Sequence, residues 1–529
     1  AQNVNLLLYP DANPDTAPME MPMTRDMDTG VWSIDGQPDW DRNFYQYEVQ
    51  VYVPATGNIE TNVSTDPYTL SASADGVRSQ IVNLDDADLK PEGWDNLEKP
   101  FFENPEDIVI YELHMRDFSV HDDSVPADYK GKYKAFTLQD SVGMNHLSDL
   151  SQYGVSHVHL LPLADCATIS ENPEDRNEVP YDQLASLPAD SEEQQALIFD
   201  NRDQDAFNWC YDPHHYNVPE GSYATEADGA ARILEFREMV QGLSQAGLRT
   251  VMDVVYNHTS QALLGDKAVL DKVVPGYYHR LNGDGNIEMS TCCNNTASEH
   301  AMMEKLMVDS LELWAEDYKV DSFRFDLMGH HSLANMEYAL ERLRSLTPEE
   351  NGVDGEKIYL YGEGWNFGEV ADDARFVQAR QSNLGGSGIG SFNDRVRDAI
   401  RGGGPFDEGI THVQNQGFIN GRFFDPNAET GTSSGELTDL LEKTDRIRIS
   451  LAGNLEEYEF TGWDGRMREG GDDDVGYTED PQENIVYAAS HDNETLWDIS
   501  QYKIPRDRSM QDRIRAQNLG SSLVILSQG

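Results

Sequence analysis

Four stretches of this sequence share one design, a short bulky apolar run that ends in ionisable side chains, and few folds can use that pattern four times. Residues 319–332 read Lys-Val-Asp-Ser-Phe-Arg-Phe-Asp-Leu-Met-Gly-His-His-Ser, with Val320, Phe323 and Phe325 suited to a strand buried on both faces and Arg324 and Asp326 where the run ends. Alone, an Arg-x-Asp pair is as well explained by a structural ion pair. The other three stretches are Thr250-Val-Met-Asp-Val-Val-Tyr-Asn-His258, Lys357-Ile-Tyr-Leu-Tyr-Gly-Glu363 and Asn484-Ile-Val-Tyr-Ala-Ala-Ser-His-Asp-Asn493. Strands that each deliver a carboxylate, histidine or arginine at one end are most simply arranged as a parallel α/β barrel, a (β/α)8 TIM barrel, with its site at the strands' C-terminal mouth.

The chain of 529 residues is long enough for such a barrel plus a small module. With 95 acidic against 39 basic side chains, its net charge of −56 repels nucleic acid and anionic membrane, and a neutral substrate is favoured. No apolar run approaches the roughly 18–20 residues of a membrane span, so no membrane partner is expected. The acidity fits a saline setting, and family drift explains it equally well. Cys166, Cys210, Cys292 and Cys293 make neither a disulfide framework nor a CxxC metal site, and the adjacency of Cys292 and Cys293 disfavours a bond between them; mostly free thiols are expected.

Residues 1–105 are strand-like and helix-poor. Val4–Tyr9 and the alternating Phe44–Val53, punctuated by Pro, Gly and Asp, predict a small β-sandwich. Trp32, Trp40 and Trp94 are sugar-stacking candidates, although structural tryptophans are commoner. Residues 106–529 are assigned to the barrel, whose first strand is Ile108–His114 and whose second is Gly154–Pro162, with a helix over 140–153 between them. The acidic stretch 164–202 is long enough to be a lid or site-shaping loop. The loop Phe207-Asn-Trp-Cys-Tyr-Asp-Pro-His-His-Tyr-Asn-Val-Pro219 offers Trp209, Tyr211 and Asp212 for a sugar subsite, because aromatic faces stack on sugar C–H faces while polar neighbours take hydroxyls. Helices are expected over 227–246, 299–318, 333–346 and 507–526, and a sixth strand at 388–394. Residues 402–480 form a variable stretch whose Asp472-Asp-Asp474 run is a weak candidate for a hard cation. Seven strands are counted, and an eighth is missing before Gly529, which would leave two bare edges.

Carboxylates on adjacent strands at one barrel mouth can approach to about 5 Å, the spacing of glycosidases that retain anomeric configuration. Asp326 and Glu363 fit that plan: one, ionised and held by Arg324, would attack the anomeric carbon, and the other, in a less polar setting, would protonate the departing oxygen. Asp492 is then a third carboxylate positioning the sugar.

These four motifs, in this order, resemble the conserved regions of the α-amylase superfamily of glycoside hydrolases. Phe207–Pro213, Cys292–His300 and Phe323–His331 narrow the resemblance to type I pullulanases and plant limit dextrinases, over nearly the whole chain. Thr65–Tyr68 and Arg78–Asp86 resemble the starch-binding-type module that precedes such barrels. The resemblance implies hydrolysis of α-1,6-glucosidic linkages in pullulan, limit dextrins or amylopectin. Asp326 is then nucleophile, Glu363 acid/base, Asp492 transition-state stabiliser and Arg324 the arginine on the nucleophile; His258 and His491 bond sugar hydroxyls, and Tyr211 stacks. It also implies a monomer, an extracellular or periplasmic location, and no cofactor for the chemistry. A structural Ca2+ is left open near Asp253 and Asn257, where some relatives use the Asn, and no metal ligand is assigned. Ser322 and Cys210 stand where the family has glycine, and a Cβ there bears on strand and loop geometry. The family pattern continues beyond both ends of this chain, so an incomplete sandwich and barrel are expected, with activity of the fragment alone in question. The alternatives are an α-1,4-acting amylase or glucan-transferring relative, or a non-catalytic glucan-binding protein; the last should lack one of the three carboxylates, and all three are present.

Overall fold

A computed structural model describes residues 1–529. β1 (Asn3–Tyr9), β2 (Met19–Pro22), β3 (Phe44–Val53), β4 (Asn58–Ser64) and β5 (Ser79–Gln80) form a single antiparallel sheet in the order β2-β1-β3-β4, with β5 also on β3. A second, two-stranded antiparallel sheet pairs Thr24–Arg25 with Trp32–Ser33, so small antiparallel sheets precede the barrel. Asn62 donates to the Lys272 carbonyl at 3.1 Å and Ser64 to the Val269 carbonyl at 3.4 Å. Trp94 is 3 % exposed beneath Lys319 and Arg237, so it is a packing residue and no sugar platform.

β6 (Ile110–Leu113), β7 (His157–Leu160), β8 (Arg249–Val254), β9 (Ser322–Phe325), β10 (Tyr359–Gly362), β11 (Gly390–Phe392) and β12 (Asn484–Ile485) lie side by side in chain order, all parallel. This is the unrolled order of a (β/α)8 barrel with seven strands present. β6 and β12 are its unpaired edges. The space between them is a cavity of about 530 Å³ walled by Ile108, Ile110, Phe392, Ile485 and Ile525. The crossovers include α1 (Val142–Gln152), α2 (Ala231–Gln245), α3 (Ala301–Glu316), α4 (Leu333–Arg344) and α5 (Asp394–Arg401). Ser141 and Ser332 accept from the backbone at the starts of α1 and α4, fixing where those helices begin.

The period-two alternation of each strand sorts its side chains. Leu160, Met252, Phe323, Phe325 and Leu360 face outward into one large core with Met303, Leu306, Leu311 and Trp314 of α3. Val251, Tyr359 and Tyr361 face inward with Ile108, Ile110, Phe392 and Ile485. Pairing sets Asp253 opposite Arg324, Arg324 opposite Tyr361, and Glu112 opposite His159. The charged residues thus share the inward parity of the apolar plug and interleave with it, Arg324 in register with Tyr361 and His159 with Val251.

Several local expectations change. Pro213–Pro219, expected as loop, is a strand paired antiparallel with Ala164–Cys166, and the acidic stretch contains helices Tyr181–Ser186 and Glu193–Asn201. The variable stretch contains an 18-residue helix, α6 (Ser434–Leu451), opened by a Ser433–Glu436 capping box. The thiols expected free are paired, Cys166 with Cys210 and Cys292 with Cys293. Folding brings the Cα atoms of Cys166 and Cys210 to 5.2 Å, a proximity that sequence spacing does not reveal. Ser322 is absorbed without disturbance: it keeps its ladder partners Val251 and Tyr359, and its hydroxyl donates to the Asp321 carbonyl.

Candidate active site

Arg324 is the centre of the polar layer. It is 2 % exposed, and its NH1 lies 2.9 Å from Asp253 and 3.2 Å from Asp326, while its NH2 lies 3.0 Å from Glu363. One planar guanidinium therefore spans β8, β9 and the residue after β10, a task its fork geometry permits and an ammonium's does not. Asp326 and Glu363 are brought together on the two arms of that fork.

Asp326 also accepts from Asn257 Nδ2 at 2.7 Å, and Glu363 from the Leu327 N–H at 2.9 Å. Burial pushes Asp326 up to about 7, helped by the Glu363 carboxylate and opposed by Arg324. Glu363 is raised as well, by burial first, against Arg324 and with Asp492 adding to the rise. The pair holds a proton well above the usual carboxylate range, as an acid and a nucleophile side by side require. Asp253 goes the other way: burial works against it, but Arg324 and His159 hold it below its usual value, and it stays a fixed anion.

Leu327, just past Asp326, has φ 42°, so the chain turns sharply into Gly329. A Cβ on Gly329 would sit 2.2 Å from the Trp365 carbonyl oxygen, so only glycine lets the turns after β9 and β10 close on each other.

A cavity of about 750 Å³ is lined by Arg324, Glu363, Trp365, His491, Asp492 and Phe406 among others; Asp326, Trp209 and Tyr211 are not part of its lining. Asp492 is about half exposed, and its Oδ1 lies 3.3 Å from His491 Nε2. His491 is held from its other side by Glu112, and despite burial Asp492 and Glu112 raise it to about 10, so it is an imidazolium at neutral pH. The ring of His491 stacks on Tyr211 at 5.1 Å and meets Trp209 edge-on at 5.1 Å. Tyr211 donates its hydroxyl to Asp253 at 2.7 Å, and Trp209 is 38 % exposed.

Two predicted residues stand elsewhere. His258 is buried, with Nδ1 against Asn257 Oδ1 and Nε2 2.7 Å from the Tyr211 carbonyl; both partners are acceptors and burial lowers its pKa, so the neutral ring donates to one of them. Asp212 faces Ala167 and Thr168, where burial raises its pKa, away from the cavity. A calcium ion does not fit at Asn257: its amide is spent on Asp326 and His258, and both oxygens of Asp253 are taken by Arg324, Tyr211 and His159.

Sequence reasoning missed Glu112, His159 and the anchoring role of Asp253. The signal was present, because each is an ionisable residue at inward parity in a run already assigned as a strand. Cys210 has φ 63°, a conformation that favours glycine, and its link to Cys166 fixes it beside Tyr211.

No family model matches the chain. Among curated proteins, it is 47 % identical to "Pullulanase 1, chloroplastic" of Arabidopsis thaliana, covering all of this chain and 55 % of that protein. It is 41 % identical to a pullulanase of Klebsiella aerogenes, covering all of this chain and 51 % of the relative. The chain thus spans about half the length of the curated relatives it matches. Among solved structures, the maltotriose complex of the Klebsiella pneumoniae pullulanase superposes with TM-score 0.94 at 40 % identity, over all of this chain and 60 % of that one. The apo pullulanase of Paenibacillus barengoltzii gives 0.78 at 32 % identity, over all of this chain and 69 % of that one. With this likeness running through every element that carries the dyad, the chain belongs to the type I pullulanases of the α-amylase family.

Proposed function

We propose that the chain is the catalytic region of a debranching hydrolase that cleaves α-1,6-glucosidic linkages in pullulan, limit dextrins and amylopectin by double displacement with retention. The observation that carries this is Asp326 and Glu363 on the two arms of one buried guanidinium, with Glu363, Arg324 and Asp492 lining one cavity. Asp326 attacks the anomeric carbon and Glu363 protonates the departing oxygen; water, activated by Glu363, then hydrolyses the glycosyl-enzyme ester. Asp492 and the His491 imidazolium bind hydroxyls of the sugar being cleaved, and Trp209 and Tyr211 offer aromatic faces beside it.

The pullulanase relatives support the linkage, and the maltotriose complex of one of them supports an α-glucan ligand. Two cross-links and an acidic surface suit an oxidising extracellular or periplasmic setting, with the protein acting as a monomer.

The test is product analysis of the full-length protein on pullulan. Maltotriose released first as the α-anomer is expected; panose, or the β-anomer, rejects the linkage or the stereochemistry. Asp326→Asn and Glu363→Gln are each expected to lower kcat by about 10²–10⁴-fold, and wild-type turnover in either removes the assignment.

A further inference from the structure

We infer that Asp165, His214 and His215 form a site for a first-row transition-metal dication, zinc being the natural occupant, at the seam between the N-terminal sheet and the barrel. His215 Nδ1 lies 2.6 Å and His214 Nδ1 3.3 Å from Asp165 Oδ2, and one donor atom from each of the three residues falls within 4.8 Å of the others. The adjacent imidazoles are tilted by 35° with centroids 3.9 Å apart, so both turn Nδ1 toward the same carboxylate. Two nitrogens and one carboxylate oxygen are a borderline donor set, suited to zinc and too poor in oxygen for calcium.

Three further observations point to a cation. His214 Nδ1 and Asp165 Oδ1 are buried and have no hydrogen-bond partner, a costly state for atoms that are good ligands. His215 Nε2 lies 2.7 Å from the Thr65 hydroxyl, the outer contact that fixes the ring of a metal-bound histidine. Asp165, Glu171 and Glu220 are all buried around a single guanidinium, Arg232, and the Lys267 ammonium stands further out on the Ala167 carbonyl.

The partners come from both sides of the seam. Thr65 belongs to the N-terminal part, and Gly76 of the same part packs its backbone directly over the donors: a Cβ there would lie 2.5 Å from His214 Nδ1 and 2.8 Å from Asp165 Oδ2. A bound ion would therefore clamp the N-terminal sheet to the barrel without touching the catalytic pair.

The experiment uses untagged full-length protein, stripped with chelator and titrated with Zn2+ alone by calorimetry and elemental analysis, with Co2+ as a spectroscopic probe. One zinc per chain is expected, with a higher melting temperature and a visible cobalt d–d band. His214→Val should abolish binding at this stoichiometry, and Thr65→Val, which keeps all three ligands, should weaken it roughly tenfold. Both should keep the wild-type far-UV spectrum. Absence of a stoichiometric zinc in the wild type overturns the site, as does unchanged affinity in His214→Val. Should His214→Val fail to fold, unchanged affinity in Thr65→Val overturns it equally.

Discussion

Glu112 accepts hydrogen bonds from both the backbone N–H and the ring Nδ1 of His491, at 2.8 and 2.9 Å, although 379 residues separate them. The contact joins the first barrel strand to the loop after the seventh and delivers a charged imidazole to the cavity. Because the folded pKa of His491 is raised to about 10, its stabilising contribution is fully present below the unfolded value of about 6.5 and is lost as pH rises through 10. Glu112→Gln should move that loss to lower pH. Titration of the His491 Cε1–H resonance reads the shift directly, and an unmoved midpoint rejects the pairing.

Glu363 has the opposite sign. A carboxyl raised by burial binds more protons folded than unfolded, so it destabilises the protein increasingly as pH climbs above about 4.3. Glu363→Gln removes that penalty and relieves Asp326. Its melting temperature should exceed that of the wild type at alkaline pH and approach it near pH 4, while activity is lost. Equal melting temperatures across the range would show that the dyad is not strained.

Arg324→Lys tests the fork. An ammonium can serve at most part of the set of Asp253, Asp326 and Glu363, leaving at least one buried carboxylate uncompensated. A stability loss of up to ~3–5 kcal/mol in denaturant titrations and a fall in kcat of ~100-fold or more are expected. Near-normal kcat would mean that the charge alone suffices.

The Cys166–Cys210 link offers a two-step cycle. Cys166→Ser should cost about 2–4 kcal/mol in chemical unfolding and raise KM by loosening the Trp209–Tyr211 loop. Adding Cys210→Gly should return about 1–2 kcal/mol, because glycine adopts φ 63° without the Cβ penalty. A double variant less stable than Cys166→Ser would show that the backbone is unstrained at 210.

The barrel was legible because its strands carry two signals at once, apolar bulk for the outer face and charge at inward parity, as in Phe323-Arg324-Phe325-Asp326. Asp326, Glu363, Arg324 and His491 could be placed for the same reason. His258 misled because its strand-end position says nothing about which way its ring turns, and Asn257 and Tyr211 turn it inward. The helix Ser434–Leu451 was hidden by its polarity, since polar Asp445 and Ser450 are buried beside Leu440, Ile447 and Ile449 and blur the apolar stripe, leaving the capping box as its mark. The Cys166–Cys210 link was hidden because residues 44 apart gave no hint of meeting, and the Cys292–Cys293 link because adjacency was read as disfavouring a bond.

The spacing of nucleophile and acid is set less by two strands than by one side chain. Breathing of the sheet that shifts β9 against β10 must drag the guanidinium of Arg324 with it, and both carboxyl groups follow. The reacting geometry is thus carried as a unit.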